Sequence, residues 1–247
     1  MFRFKNFLLL VIVLMSFGSM TARAQYFYND IWVQQQLYKE FTILKEGNLR
    51  TISVKSFEDD GYPSEGFFLQ RKINKQFTES ETQSKTSFSN ESILTTLYNA
   101  QGRILRSTDS TAVSIGITAY TYDDKGRLST ISTITRNPGE SNNITEERTY
   151  SYNTNDKPQK MIRKKSNNVV SEVNFTIDEK GNVIEEQESK GRKYYYYYDA
   201  KNRVTDVVHF NSLAKRLLPD YMFEYSSSGQ VKQLVSTVEG GNNYFIW

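Results

Sequence analysis

Over most of this chain apolar and polar residues alternate with a period of two, and the alternating runs break at polar corners. Tyr120-Thr121-Tyr122, Tyr150-Ser151-Tyr152, Phe175-Thr176-Ile177 and Phe223-Glu224-Tyr225 each place two large apolar side chains on one side of a strand and a polar one on the other. Such alternation predicts antiparallel strands with one covered face and one wet face. Residues 29–47, NDIWVQQQLYKEFTILKEG, follow a different rule. Ile31, Leu37, Phe41 and Leu44 form an apolar stripe, Asn29 or Asp30 suits a helix start, and Gly47 suits the position past its end. A helix is predicted there, with a hairpin turning at Glu46-Gly47 as the alternative.

The corners repeat. Aligned on their anchors, FEDDGYP (Phe57), YNAQGRI (Tyr98), YDDKGRL (Tyr122), YNTNDKP (Tyr152), IDEKGNV (Ile177), YDAKNRV (Tyr198) and YSSSGQV (Tyr225) share one plan. Four residues after the anchor stand Gly61, Gly102, Gly126, Asp156, Gly181, Asn202 and Gly229, all of the types that tolerate a left-handed backbone. One residue after the anchor stand Glu58, Asn99, Asp123, Asn153, Asp178, Asp199 and Ser226, mostly side chains that open a type I turn. The plan predicts a type I turn followed by a left-handed residue in a G1 bulge. The acids in these corners are turn formers, since an EF-hand loop needs alternating ligands and a distal Glu.

Corners at the other end of the strands are read in 136–143, 165–168, 189–192 and 239–243. Residues 74–91, NKQFTESETQSKTSFSNE, are rich in Ser, Thr, Glu and Gln and are expected to be a loop or insertion. The predicted fold is all-β: a long antiparallel meander of hairpin repeats from about residue 49 to the C-terminus, curled around its aromatic face, with one N-terminal helix. Curling follows because an exposed aromatic stripe forfeits roughly 1.5–3 kcal/mol per large side chain.

The YDDKGRL and YDAKNRV elements resemble the YD repeats of the RHS/YD-repeat family, over about residues 98–234 and more weakly at 57–66. That resemblance implies a β-repeat sheet. Members of the family build large shells, often around a toxin segment. This chain is too short for a closed shell and has irregular repeat spacing, so the resemblance implies a small secreted relative and does not extend to toxin delivery.

The first residues bear on location. Arg3 and Lys5, the apolar run Phe7–Phe17 and the small residues Ala22 and Ala24 have the anatomy of a secretory signal peptide cleaved before Gln25. The expected division is 1–24 signal peptide, 25–48 helical segment and 49–247 β-repeat domain. Export to the periplasm or outside the cell is expected. The formal net charge of +3 comes from Arg3, Lys5 and Arg23, because Lys+Arg number 31 and Asp+Glu 28 and residues 1–24 hold no acid. The remainder is neutral, which removes the general attraction to nucleic acid. The chain has no cysteine, so its stability rests on its core.

Chemistry is thinly supplied. His209 is the single histidine and is read as an ordinary sheet residue, and zinc sites want His or Cys clusters. No phosphate-binding loop is present, and no cofactor is expected. Glu146-Glu147 and Glu185-Glu186-Glu188 are read as exposed strand charges, with glycoside hydrolysis as the competing use. An outer-membrane barrel is disfavoured, because Lys160–Ser166 and Val183–Ser189 carry charge on both alternating faces. In Lys193–Arg203, KYYYYYDAKNR, parity puts Tyr194, Tyr196 and Tyr198 on the aromatic face and turns Tyr195 and Tyr197 outward. These two are either covered by another segment or form a ligand-binding pair. The sequence reading is a secreted, non-enzymatic scaffold or binding protein of the bacterial envelope, with an envelope protein or a glycan as partner.

Overall fold

The computed structural model describes residues 27–58, 60–87, 89–136, 143–189, 191, 193–229, 231–237 and 244–246. The expected signal peptide and the corners in 137–142 and 239–243 lie outside the described residues. Helix α1 is Tyr28–Glu46. Strands β1 (Thr51–Val54), β2 (Phe68–Ile73), β3 (Glu79–Thr86), β4 (Ser89–Tyr98), β5 (Ile104–Ser110), β6 (Ile115–Tyr122), β7 (Leu128–Arg136) and β8 (Ile144–Tyr152) follow. The chain continues through β9 (Pro158–Lys165), β10 (Asn168–Ile177), β11 (Val183–Glu188), β12 (Lys193–Tyr198), β13 (Val204–Asn211), β14 (Arg216–Tyr225), β15 (Val231–Thr237) and β16 (Tyr244–Ile246). Each strand lies beside its chain neighbours, in the unbroken order β1 to β16. Among the described residues the fold is therefore an all-β antiparallel meander with one helix.

Two compact units divide the chain. The C-terminal unit takes in the described residues up to Val33, then Ser151–Met161 and those from Ser171 onward; the N-terminal unit takes in Gln34–Tyr150 and Ile162–Val170. The division falls within α1, β8, β9 and β10. Residues 74–91 depart from expectation, because β3 and most of β4's first turn-proximal residues occupy them. Composition misleads there: the strand period persists, but Ser80 and Thr82 fill the buried positions at 2% and 3% exposure.

All seven predicted corners take the left-handed conformation, at Gly61 (φ 84°), Gly102 (86°), Gly126 (74°), Asp156 (62°), Gly181 (83°), Asn202 (63°) and Gly229 (84°). The corner at Tyr122 shows the bonding. Gly126 N donates to Asp123 O at 2.8 Å and Asp123 N to Arg127 O at 2.9 Å, while Asp123 Oδ1 accepts from Arg127 N at 2.8 Å. Asp199 and Asp178 do the same for Arg203 and Asn182. At FEDDGYP the same turn closes on an isolated Phe57–Pro63 bridge.

A second irregularity recurs just beyond five of these corners. Tyr122 pairs with Leu128 but Thr121 pairs with Thr130, leaving Ser129 as an extra residue. The same step skips Leu105, Ile184, Thr205 and Lys232. One extra residue in a strand shifts side-chain parity. The residues six and nine positions after the anchor thus face the same side: Leu128 with Ile131, and Val231 with Leu234, all at most 6% exposed. The ninth meets the residue two before the anchor, an aromatic in Tyr120–Ile131, Phe175–Glu186, Tyr196–Val207 and Phe223–Leu234 and a threonine in Thr96–Ser107. Anchor hydroxyls tie one repeat to the next. Tyr122, Tyr198 and Tyr225 donate to the carbonyls of Ile104, Val183 and Val204 at 2.9, 2.7 and 2.7 Å, the sixth residue of the preceding repeat in each case.

In the N-terminal unit Phe41 of α1 stacks on Tyr98 at 4.1 Å and meets Phe77 edge-on at 6.1 Å. Glu40 pairs with Arg71 at 3.0 Å, and Arg71 also donates to Thr82. Ile31, Phe41 and Leu44 of the predicted stripe are buried. The helix ends with Leu49 N bonded to Leu44 O at 2.8 Å and with Asn48, not Gly47, in the left-handed region (φ 49°).

Gly102 and Gly61 share their backbone conformation but not their surroundings. A Cβ on Gly102 would lie 2.8 Å from Cδ1 of Phe41, whereas one on Gly61 meets nothing within 4 Å. Gly61→Ala is therefore expected to cost about 1–2 kcal/mol from backbone strain alone, and Gly102→Ala clearly more, because Phe41 must move as well. Urea unfolding of the two variants checks the difference; equal losses would contradict it.

Candidate functional site

The repeat phase identifies one exceptional residue. Nine positions after the anchor the sheet holds Ser107, Ile131, Met161, Val207 and Leu234, and in the repeat anchored at Ile177 it holds Glu186. Glu186 is 2% exposed and pairs across the ladder with Phe175. The expectation of an exposed strand charge is overturned here. The carboxylate is buried because the extra residue Ile184 turns it to the same side as Val183.

Its partners come from the helix and from the next strand. Phe27 N lies 3.0 Å from both carboxylate oxygens, Tyr28 N lies 2.9 Å from Oε2, and the Tyr196 hydroxyl donates to Oε2 at 2.7 Å. The first backbone N–H groups of a helix have no partner within it. Glu186 supplies that partner from a residue 159 positions away, where Asn29 or Asp30 had been expected to cap. Tyr28 packs edge-on against Tyr196 at 5.3 Å and Phe175 at 6.4 Å, and Trp32 lies 6.0 Å from Phe223. The crevice left between them is only about 10 Å³, room for no more than one water.

Burial pushes the Glu186 carboxyl up to about 7, a rise opposed by the Tyr196 hydroxyl and the Tyr28 and Phe27 N–H groups and reinforced by the Asp30 charge. The corner acids move the other way. Arg203 bonds hold Asp199 below its usual range, and backbone bonding from Asn182 does so for Asp178. Glu146 is also less exposed than expected, at 14% between Arg148 (2.9 Å) and Arg163 (2.6 Å). Burial opposes ionisation there, and the two guanidiniums outweigh it to leave the carboxyl below its usual range. With Glu186 enclosed, Glu146 bridged by arginines and Glu185 paired with Lys193 at 3.0 Å, these acids are all engaged. Among the described residues no group of three or more His, Cys, Asp or Glu could hold a metal ion. His209 faces the covered side, with Nδ1 2.8 Å from Asp220 Oδ2.

Tyr194 and Tyr196 are buried on the covered face at 4% and 3%, while Tyr197 is 48% exposed on the opposite, open face. Tyr195 is half-buried there, with Lys193 Nζ 5.7 Å from its ring centre. The helix packs on the other side of β12 and leaves this pair uncovered. Register extends the pair into a band. One row runs Tyr195, Val208, Pro219, and another runs Tyr197, Asp206, Met222, Val235, Ile246. In the N-terminal unit the open-face rows include Thr121, Thr130, Thr149, then Ala119, Ser132, Glu147, and then Ile117, Ile134, Thr145. Parity exposed Tyr195 and Tyr197 in the sequence, but their continuation needs the β13–β14 register, where Val207 pairs with Tyr221 and Val208 with Pro219 around the extra residue Asp220.

No protein-family model matches the chain, and no curated protein matches it. Solved structures similar to it include a crystal structure of TcdB2-TccC3-Cdc42, with 12% identity over 80% of this chain and 13% of that one at a TM-score of 0.30. A crystal structure of TcdB2-TccC3 gives 11%, 80%, 13% and 0.30, and the Photorhabdus luminescens Tc holotoxin pore gives 12%, 80%, 16% and 0.24. The chain spans roughly an eighth to a sixth of the length of these neighbours.

The sign of the Glu186 linkage follows from its raised pKa. Between the ordinary carboxyl value, near 4.5, and about 7 the folded state binds more protons than the unfolded one. Stability from this group is full below that window and falls as pH rises through it. Denaturant unfolding at several pH values should show such a fall in the wild type and its absence in Glu186→Gln, which should also lose about 1–3 kcal/mol at acidic pH through mispaired buried donors. A parallel pH profile in the two proteins would refute the assignment.

Proposed function

We propose that the protein is an exported, non-enzymatic β-repeat scaffold of the bacterial cell envelope that presents the open face of β12–β16 to a protein partner. One observation carries this reading: on the open face of the C-terminal unit Tyr195 and Tyr197 stand in register with Pro219, Met222, Val235 and Ile246, whereas the open-face rows through Ala119 and Thr121 in the N-terminal unit are mostly Thr, Ser and Glu, with aliphatic side chains at Ile117 and Ile134. The helix and most of the buried side chains lie on the other face, and of these rows only Val208 is buried, at 8% exposure. Tyrosine with surrounding aliphatic groups has the composition of an interface centre. Glu185, Lys193 and Asp206 flank Tyr195 and Tyr197 beside the aliphatic rows, so a glycan is the competing ligand that the experiment must separate from a protein. Anchoring of α1 at Glu186 supports a scaffold, because it fixes the covered side and leaves the open side for recognition.

The test is affinity capture from envelope extract beside a glycan array, with wild type and Tyr195→Ala/Tyr197→Ala. Specific protein retention weakened roughly thirtyfold or more in the variant, with the thermal midpoint little changed, is expected of a hot-spot pair. Strong glycan retention with no protein partner would overturn the reading, as would a large loss of stability with capture unchanged.

A further inference from the structure

The hairpin joining β13 to β14 carries a feature that the core does not explain. Leu213 stands at its tip with 94% of its surface exposed. The tip is ordered by its own backbone: Asn211 Oδ1 accepts from Leu213 N at 3.0 Å and from Ala214 N at 2.8 Å, and Lys215 takes the left-handed conformation at φ 51°. Asn211 pairs with Arg216 and Phe210 with Leu217 at the base. Phe210 and Leu217 are themselves 54% and 42% exposed, so three large apolar side chains crown one hairpin. Lys215 and Arg216 are exposed beside them, and residues 207–219 include no Asp or Glu.

We propose that this hairpin docks on an anionic lipid surface, with Leu213 entering the headgroup region and Lys215 and Arg216 meeting the lipid phosphates. The geometry favours lipid over a protein groove. A projecting tip offers far less than the roughly 800 Å² that each partner buries in a standard protein interface. A lipid surface can instead surround a projecting side chain on all sides, and apolar burial then combines with attraction to anionic headgroups. Each cation near such a surface contributes appreciably, and the effect decays within a Debye length. The mode is surface docking by one hairpin, distinct from spanning by strands; Phe210 and Leu217 lie on the same face as Val208 and Pro219, and a reporter at the tip separates this docking from the protein-binding face.

Because the chain has no cysteine, Ser212→Cys gives a single labelling position that keeps Leu213 intact. An environment-sensitive dye at that position is followed in the full chain during titration with phosphatidylcholine vesicles, with and without phosphatidylglycerol. A blue shift only with the anionic vesicles is expected. It should weaken roughly tenfold or more in Lys215→Glu/Arg216→Glu and in Leu213→Asp, and it should be suppressed by high salt. The label reads the tip alone, so vesicle binding through any other segment produces no shift. An unchanged spectrum with anionic vesicles, or an equal shift with neutral ones, overturns the proposal. A shift that grows with protein concentration in the absence of lipid would assign the tip to a second copy of the chain and overturn it too.

Discussion

The structure depends on a constraint of parity. The hairpins anchored at Tyr98, Tyr122, Ile177, Tyr198 and Tyr225 each contain a left-handed corner and, just beyond it, one residue more on the second strand than on the first. Without that extra residue the sixth and ninth positions after the anchor would face opposite sides of the sheet. With it, both enter the core, and the ninth meets the residue two before the anchor, an aromatic in four of the five hairpins. The anchor hydroxyl then reaches the carbonyl of the preceding repeat's sixth residue. Local turn chemistry and long-range packing therefore enforce the same register, the consistency expected of a well-specified fold.

Glu186 draws its meaning from that register. A carboxylate in a slot otherwise filled by Ile, Met, Val, Leu or Ser would be costly if left bare. Two helix N–H groups and the Tyr196 hydroxyl satisfy it, so the same burial that penalises the charge also selects where α1 begins. Glu40 and Arg71 show related logic in the N-terminal unit, where a buried ion pair links the helix to β2. There too burial is the dominant influence, raising the Glu40 carboxyl against the Arg71 charge. Both pairings favour one placement of the helix over alternatives that would strand a charge.

Much of this was legible in the sequence because the corners are local. Gly126 or Asn202 announces a left-handed turn whatever surrounds it, and strand parity separated Tyr196 from Tyr197. The helix was visible from its stripe, but its cap was not, since the capping group lies 159 residues away. Glu186 could have been found by carrying the repeat alignment to its ninth position, where an acid interrupts a mostly aliphatic column. Residues 74–91 were misread because composition masked periodicity: Ser80 and Thr82 take core positions, with Tyr98 and Arg71 as hydrogen-bonding partners. The apolar band beyond Tyr195 and Tyr197 stayed hidden for a similar reason, as it assembles only when five strands are set in register.

Removing Ser129 tests the parity account most directly, since this small residue is the extra one between Leu128 and Thr130. Its deletion should turn Ile131 away from Tyr120 and cost about as much as emptying a core position, roughly 2–5 kcal/mol, in equilibrium unfolding by urea. A deletion variant within about 0.5 kcal/mol of the parent, the range of an ordinary surface change, would show that the extra residue does not set the phase of the core.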